Sequence, residues 1–150
     1  MSLPHQLPNA VVPQDAVLPA DASPIDATIL NEYRDMAGDG ASAFLATLID
    51  EYLADAPSLM TRIKDAVERA DLPALKLAAH SLKGSSRTIG ARRLADLAEA
   101  MEAIARNATC VGAAPLIIAL DAEFERVQPA LRVEQAATPG TKSIHDTPAN

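Results

Sequence analysis

AFLATLIDEYLADA, residues 43–56, carries apolar side chains at Phe44, Leu45, Leu48, Ile49, Tyr52 and Leu53. These positions recur at i, i+1, i+4, i+5, i+8 and i+9, the period of an amphipathic helix with one buried face. Strict alternation, the mark of a strand, is absent. Pro57 is expected to end this helix and to open another at its first position. That next helix carries Leu59, Ile63, Ala66, Val67 and Ala70.

The pattern extends in both directions. Upstream, Ile25, Ile29, Leu30 and Tyr33 mark a short helix over about Asp26–Met36, broken by Gly-Asp-Gly at 38–40. Downstream, Asp71 is a natural N-cap and Pro73 suits a first turn, opening a helix that runs to Arg87 or Thr88. Gly90 punctuates. A further helix over Ala91–Arg106 carries Leu94, Leu97, Ala98, Met101, Ile104 and Ala105. The last starts near Ala114 or Pro115, with Leu116, Ile117, Leu120, Phe124, Val127 and Leu131 inward and Pro129 kinking or fraying its end. Short loops between amphipathic helices predict an all-α, antiparallel four-helix bundle with an additional short N-terminal helix, over residues 25–134. Prolines 4, 8, 13, 19 and 24 predict a flexible arm over 1–24, and the polar, turn-rich end predicts a flexible tail over 135–150. His5 and His145, in those arms, are read as solvated and silent.

The 150 residues carry a formal charge of −7, which speaks against nucleic acid as a partner. The single Cys110 excludes an internal disulfide and a cysteine zinc cluster. No basic-then-apolar leader is visible, and no apolar run approaches the roughly 18 residues of a membrane span. A cytoplasmic monomer without membrane contact is the expectation.

The chemistry concentrates in AAHSLKGSSRTIGA, residues 78–91. On a helical wheel Leu75, Ala79, Leu82 and Ser86 point coreward, while His80 lies well off that stripe. Lys76, Leu77, Lys83, Gly84 and Arg87 share the face of His80. No acid occurs from Leu72 to Ala95, whereas Lys76, Lys83, Arg87, Arg92 and Arg93 are all basic. A basic face around an imidazole suits an anion that forms on the ring. Neutral imidazole has one unprotonated nitrogen and is a nucleophile near neutral pH. Lys83, at i+3, reaches the same space. Gly84 costs about 1 kcal/mol relative to alanine inside a helix. It serves either a close approach by a partner or a contact between helices of the bundle.

The run AAHSLKGSSRTIGARRLADLAEAME resembles the histidine-containing phosphotransfer (HPt) domain of two-component phosphorelays. That family reads roughly A-H-x-L-K-G-S-[SA]-x-x-x-G-A-x-x-L-x-x-L-x-x-x-[LM]-E. The match runs through Ala79, His80, Leu82, Lys83, Gly84, Ser85, Ser86, Gly90, Ala91, Leu94, Leu97, Met101 and Glu102. The helices before and after also look like the family's, so the resemblance covers about residues 25–133. It implies that His80 is the phosphoacceptor, with Lys83 and Gly84 beside the phosphoryl group. It implies receiver domains of response regulators or hybrid histidine kinases as partners, and these would supply the metal and the catalytic carboxylates. Lys76, Leu77 and Arg87 are candidate partner contacts. Arg87-Thr88 stand where members often carry Asn or a small residue.

A phosphocarrier rather than an enzyme is therefore expected, with no cofactor and no metal of its own. No G-x-x-x-x-G-K-[ST] or G-x-G-x-x-G is present to bind a nucleotide. A self-contained phosphatase would need a general acid near His80, and a metal-holding bundle would need Glu-x-x-His pairs. The sequence offers neither around His80. The alternative within the same fold is an adaptor that binds a receiver domain without relaying phosphate.

Overall fold

The computed structural model describes residues 23–137. Five α-helices follow one another: α1 Ala27–Ala37, α2 Ala41–Arg69, α3 Leu72–Thr88, α4 Arg92–Arg106 and α5 Ala113–Ala137. A 3-10 turn, Gly38–Gly40, joins α1 to α2. No strand occurs among the described residues. The four longer helices form an antiparallel bundle, as the apolar periodicity predicts, and α1 packs at one end of it.

The core is aliphatic. Leu30, Leu45, Ile49, Ile63, Leu75, Leu82, Ile89, Leu94, Met101, Leu120, Val127 and Leu131 are its largest fully buried side chains. Each such burial stabilises by roughly 1.5–3 kcal/mol. The coreward stripe expected around His80 is borne out: Leu75, Ala79, Leu82 and Ser86 are all buried. The Ser86 hydroxyl lies 2.8 Å from the Tyr52 hydroxyl, a buried bond between α3 and α2. Burial pushes the Tyr52 phenol well above its ordinary value, so it stays neutral and able to share its proton.

The expected helix end at Pro57 and the expected fraying at Pro129 are corrected. Pro57 does not end a helix; it sits inside the 29 residues of α2, so the expected second and third helices are one. An interior proline costs about 3 kcal/mol through a lost hydrogen bond and a ring clash. Here the ring is exposed, and the buried stripe Tyr52, Ala56, Met60, Ile63, Ala66 runs straight past it. Burying Met60 and Ile63 outweighs the local cost. Pro129 likewise sits exposed inside α5, which continues through Ala137 because Val127 and Leu131 bury on either side of it. The helix therefore runs three residues past the expected boundary at 134. Gln135 Nε2 donates to the Ala46 carbonyl at 3.1 Å. The expected arm and the rest of the expected tail lie outside the described residues.

The α3–α4 corner positions the site. Gly90 has φ +85°, its N–H bonds the Arg87 carbonyl at 3.2 Å, and the Ala91 N–H bonds the Ser86 carbonyl at 2.8 Å. This pair of bonds is a Schellman motif with glycine in the left-handed position. The Gly90 carbonyl in turn accepts from the Asp26 N–H at 2.8 Å, which seats the start of α1 on the corner. At the other end of α1, the Arg34 guanidinium bonds Glu134 of α5 at 3.0 Å.

Candidate phosphoacceptor site

Asp71 caps α3, its carboxylate accepting from the Ala74 N–H at 3.1 Å, and Pro73 occupies the first turn as expected. About two turns beyond Pro73, α3 presents His80 with its side chain 63% exposed. The ring is nevertheless held. Its Nδ1 lies 3.0 Å from Oε2 of Glu102, which comes from α4 and is almost wholly buried. The Lys83 ammonium foremost, with His80 second among the attractive partners, holds the Glu102 carboxyl below its ordinary 4.5 against the opposing effect of burial. An ionised carboxylate can only accept, so the proton between the two groups belongs to Nδ1. In the neutral ring Nε2 then carries the lone pair, as a nucleophile requires.

Lys83 does not stand free beside the imidazole. Its Nζ lies 2.7 Å from Glu102 Oε1 and 2.9 Å from Glu99 Oε1. These hydrogen bonds push the lysine further up and, with Arg106, hold Glu99 down. The uniformly basic face expected from the acid-free run 72–95 is thereby corrected. Arg92 pairs with Asp26 and Arg93 with Glu123, both supplied by other helices. Lys76 and Arg87 remain as exposed bases without an ion-pair partner among the described residues. Leu77 is 69% exposed and lines a groove with Leu59, Ala74 and Ala78, whose walls also carry the charged Arg62, Asp65, Arg69 and Asp71.

Gly84 resolves between its two readings. A Cβ built there meets nothing within 4 Å, so no helix of the bundle needs the glycine. The bare backbone one turn beyond His80 opens to the outside.

Glu99, Glu102 and Arg106 are the site residues that sequence reasoning left without a role. A signal existed. α3 and α4 form an antiparallel hairpin, and His80–Glu102 and Lys83–Glu99, with sequence separations of 22 and 16, are each centred on Ala91. Residues equidistant from the turn of such a hairpin face one another.

The depressed carboxylates have a consequence for stability. A carboxyl with a folded value below its unfolded one contributes stability above the unfolded value, and that contribution is lost as pH falls through the folded value. Thermal melts between pH about 7 and about 3 are expected to show unfolding temperature falling below pH about 4.5, with Glu102→Gln flattening that fall. A variant with the full acid dependence of wild type would place the responsible groups elsewhere.

No group of His, Cys, Asp and Glu able to hold a metal ion occurs among the described residues, and no described helix is long and apolar enough to cross a membrane. The family model for the Hpt domain matches residues 47–130. Among solved structures, histidine-containing phosphotransfer protein B (HptB) from Pseudomonas aeruginosa PAO1 is similar. It shares 27% identity and superposes with a TM-score of 0.69, over 77% of this chain and 97% of that one. No curated protein sequence matches.

Proposed function

The chain belongs to the Hpt domain family, and from that premise we propose that it is a phosphorelay intermediate whose phosphoacceptor is His80. Family membership and the likeness to HptB support a phosphotransfer role in two-component signalling. The observation that carries the finer reading is an exposed imidazole with Nδ1 tied to a buried carboxylate and an open glycine one turn away.

The step is a displacement at phosphorus. The Nε2 lone pair attacks the aspartyl phosphate of a receiver domain. The P–O bond breaks and its electron pair returns to the aspartate as a carboxylate. The ring gains one positive charge, carried at Nδ1–H, and Glu102 faces that charge. Reversal onto a second receiver passes the group on. Catalytic carboxylates and metal belong to the partner, so positioning and charge compensation are this chain's contributions. Leu77 is the apolar centre of the docking face and Lys76 and Arg87 its basic rim. The working unit is a cytoplasmic monomer.

The relay is tested by incubating the chain with a radiolabelled phospho-receiver and then adding a second, unlabelled receiver. Acid-labile, base-stable label is expected on the chain and then on the second receiver. Binding of the phospho-receiver without label would make the chain an adaptor and overturn the reading. Gly84→Gln should keep the bundle and slow transfer from the receiver by about tenfold or more, equivalent to at least 1.4 kcal/mol in the barrier. Transfer from a small donor such as phosphoramidate should be spared, because no docking surface is needed. Equal rates from the receiver in variant and wild type would remove the role assigned to Gly84.

A further inference from the structure

Glu99 and Glu102 each lie between the same two cations. Lys83 Nζ touches Oε1 of both. Arg106 reaches Oε2 of both, through Nη2 to Glu99 at 3.4 Å and through Nη1 to Glu102 at 3.5 Å. Two cations and two anions thus close a ring of zero net charge. The His80 imidazole is attached to that ring at Glu102 Oε2, the oxygen that Arg106 also approaches.

The two cations differ in where they can go. Lys83 shares α3 with His80, at i+3, so its ammonium can swing to a group on the imidazole. Arg106 stands on the last turn of α4, four residues beyond Glu102. If Lys83 were the sole counter-ion, its departure would strand two carboxylates one turn apart, one of them buried, next to an arriving dianion. Uncompensated buried charge is strongly unfavourable. With Arg106 in place, each carboxylate keeps a cation.

We propose that Arg106 is a positioning residue for phosphoryl transfer: it holds Glu99 and Glu102 neutralised, so that Lys83 is released to the phosphoryl group on His80 while Glu102 stays on Nδ1. The proposal rests on His80 being the phosphoacceptor. Arg106 itself touches neither the ring nor the phosphoryl group.

Phosphoramidate tests it without a receiver. Its P–N bond breaks as the P–Nε2 bond forms, and ammonia leaves with the electron pair. Formation rate and lifetime of the phosphohistidine are measured in wild type, Arg106→Gln, Arg106→Lys, Lys83→Gln and the Arg106→Gln/Lys83→Gln double variant. Arg106→Gln is expected to slow formation or shorten the lifetime by about threefold to tenfold, with Arg106→Lys recovering most of the loss. Because Lys83→Gln removes the ammonium that Arg106 releases, that part of the Arg106→Gln loss disappears in the double variant, and the two losses should combine to less than their product. Wild-type behaviour in Arg106→Gln overturns the proposal. So do losses that multiply in the double variant, since Arg106 would then act independently of Lys83. Absence of acid-labile label on wild type, or its persistence in a His80→Gln control, instead overturns the phosphoacceptor reading.

Discussion

His80→Gln is expected to abolish acid-labile labelling while leaving the bundle folded. Glutamine has no nucleophilic ring nitrogen, so the P–N bond cannot form at this position. Its amide N–H₂ can still donate to Glu102, which keeps the buried carboxylate partnered. With the His80 side chain 63% exposed, little apolar burial is lost and stability should change by only about 0.5 kcal/mol. The measurement is labelling by a phospho-receiver followed by acid and base treatment, with circular dichroism as the control for folding. Undiminished label on the variant would move the acceptor to another residue. His5 and His145, outside the described residues, are then the first to examine.

Gly90→Ala is expected to destabilise the chain severely, and the same substitution at Gly84 to stabilise it. At Gly90 the backbone is left-handed, which costs an ordinary residue roughly 1–2 kcal/mol. The new Cβ would also stand 2.9 Å from the Asp26 carbonyl oxygen and 3.4 Å from Ile29 Cβ. Asp26 cannot retreat without breaking its bond to the Gly90 carbonyl. The start of α1 must therefore lift, loosening Ile25 and Leu30 from the core. A loss of about 3 kcal/mol or more is expected, lowering the unfolding temperature by on the order of 10 °C. Gly84 is helical and its Cβ meets nothing, so Gly84→Ala should gain about 0.5–1 kcal/mol through helix propensity. Denaturant titrations of the two variants measure both signs. A stabilising shift for both would mean that backbone entropy, and not the corner, governs Gly90.

The helical segments, their order and their buried faces, apart from the join at Pro57, were legible because apolar spacing is a local property. Leu45, Ile49 and Tyr52 are buried as their period predicts, and Asp71 caps where an acid precedes a helical run. His80 was legible for the same reason: its place off the coreward stripe of α3 follows from residues within two turns. Gly84 was only half legible. The glycine itself is plain in the sequence, but whether its open side faces a helix or solvent depends on where α2 and α4 lie.

The sequence by itself determined an all-helical bundle, an exposed histidine and its i+3 lysine and i+4 glycine, since each rests on the pitch of a single helix. Tertiary structure alone decided that α2 continues through Pro57, because burial of Met60 and Ile63 on distant partners outweighs a local penalty. It also decided the charge state of the site. The acid-free run around His80 acquires Glu99 and Glu102 from α4, across the Gly90 corner. Which charges meet depends on the rotation and register of two packed helices, and core side chains from the whole bundle set those.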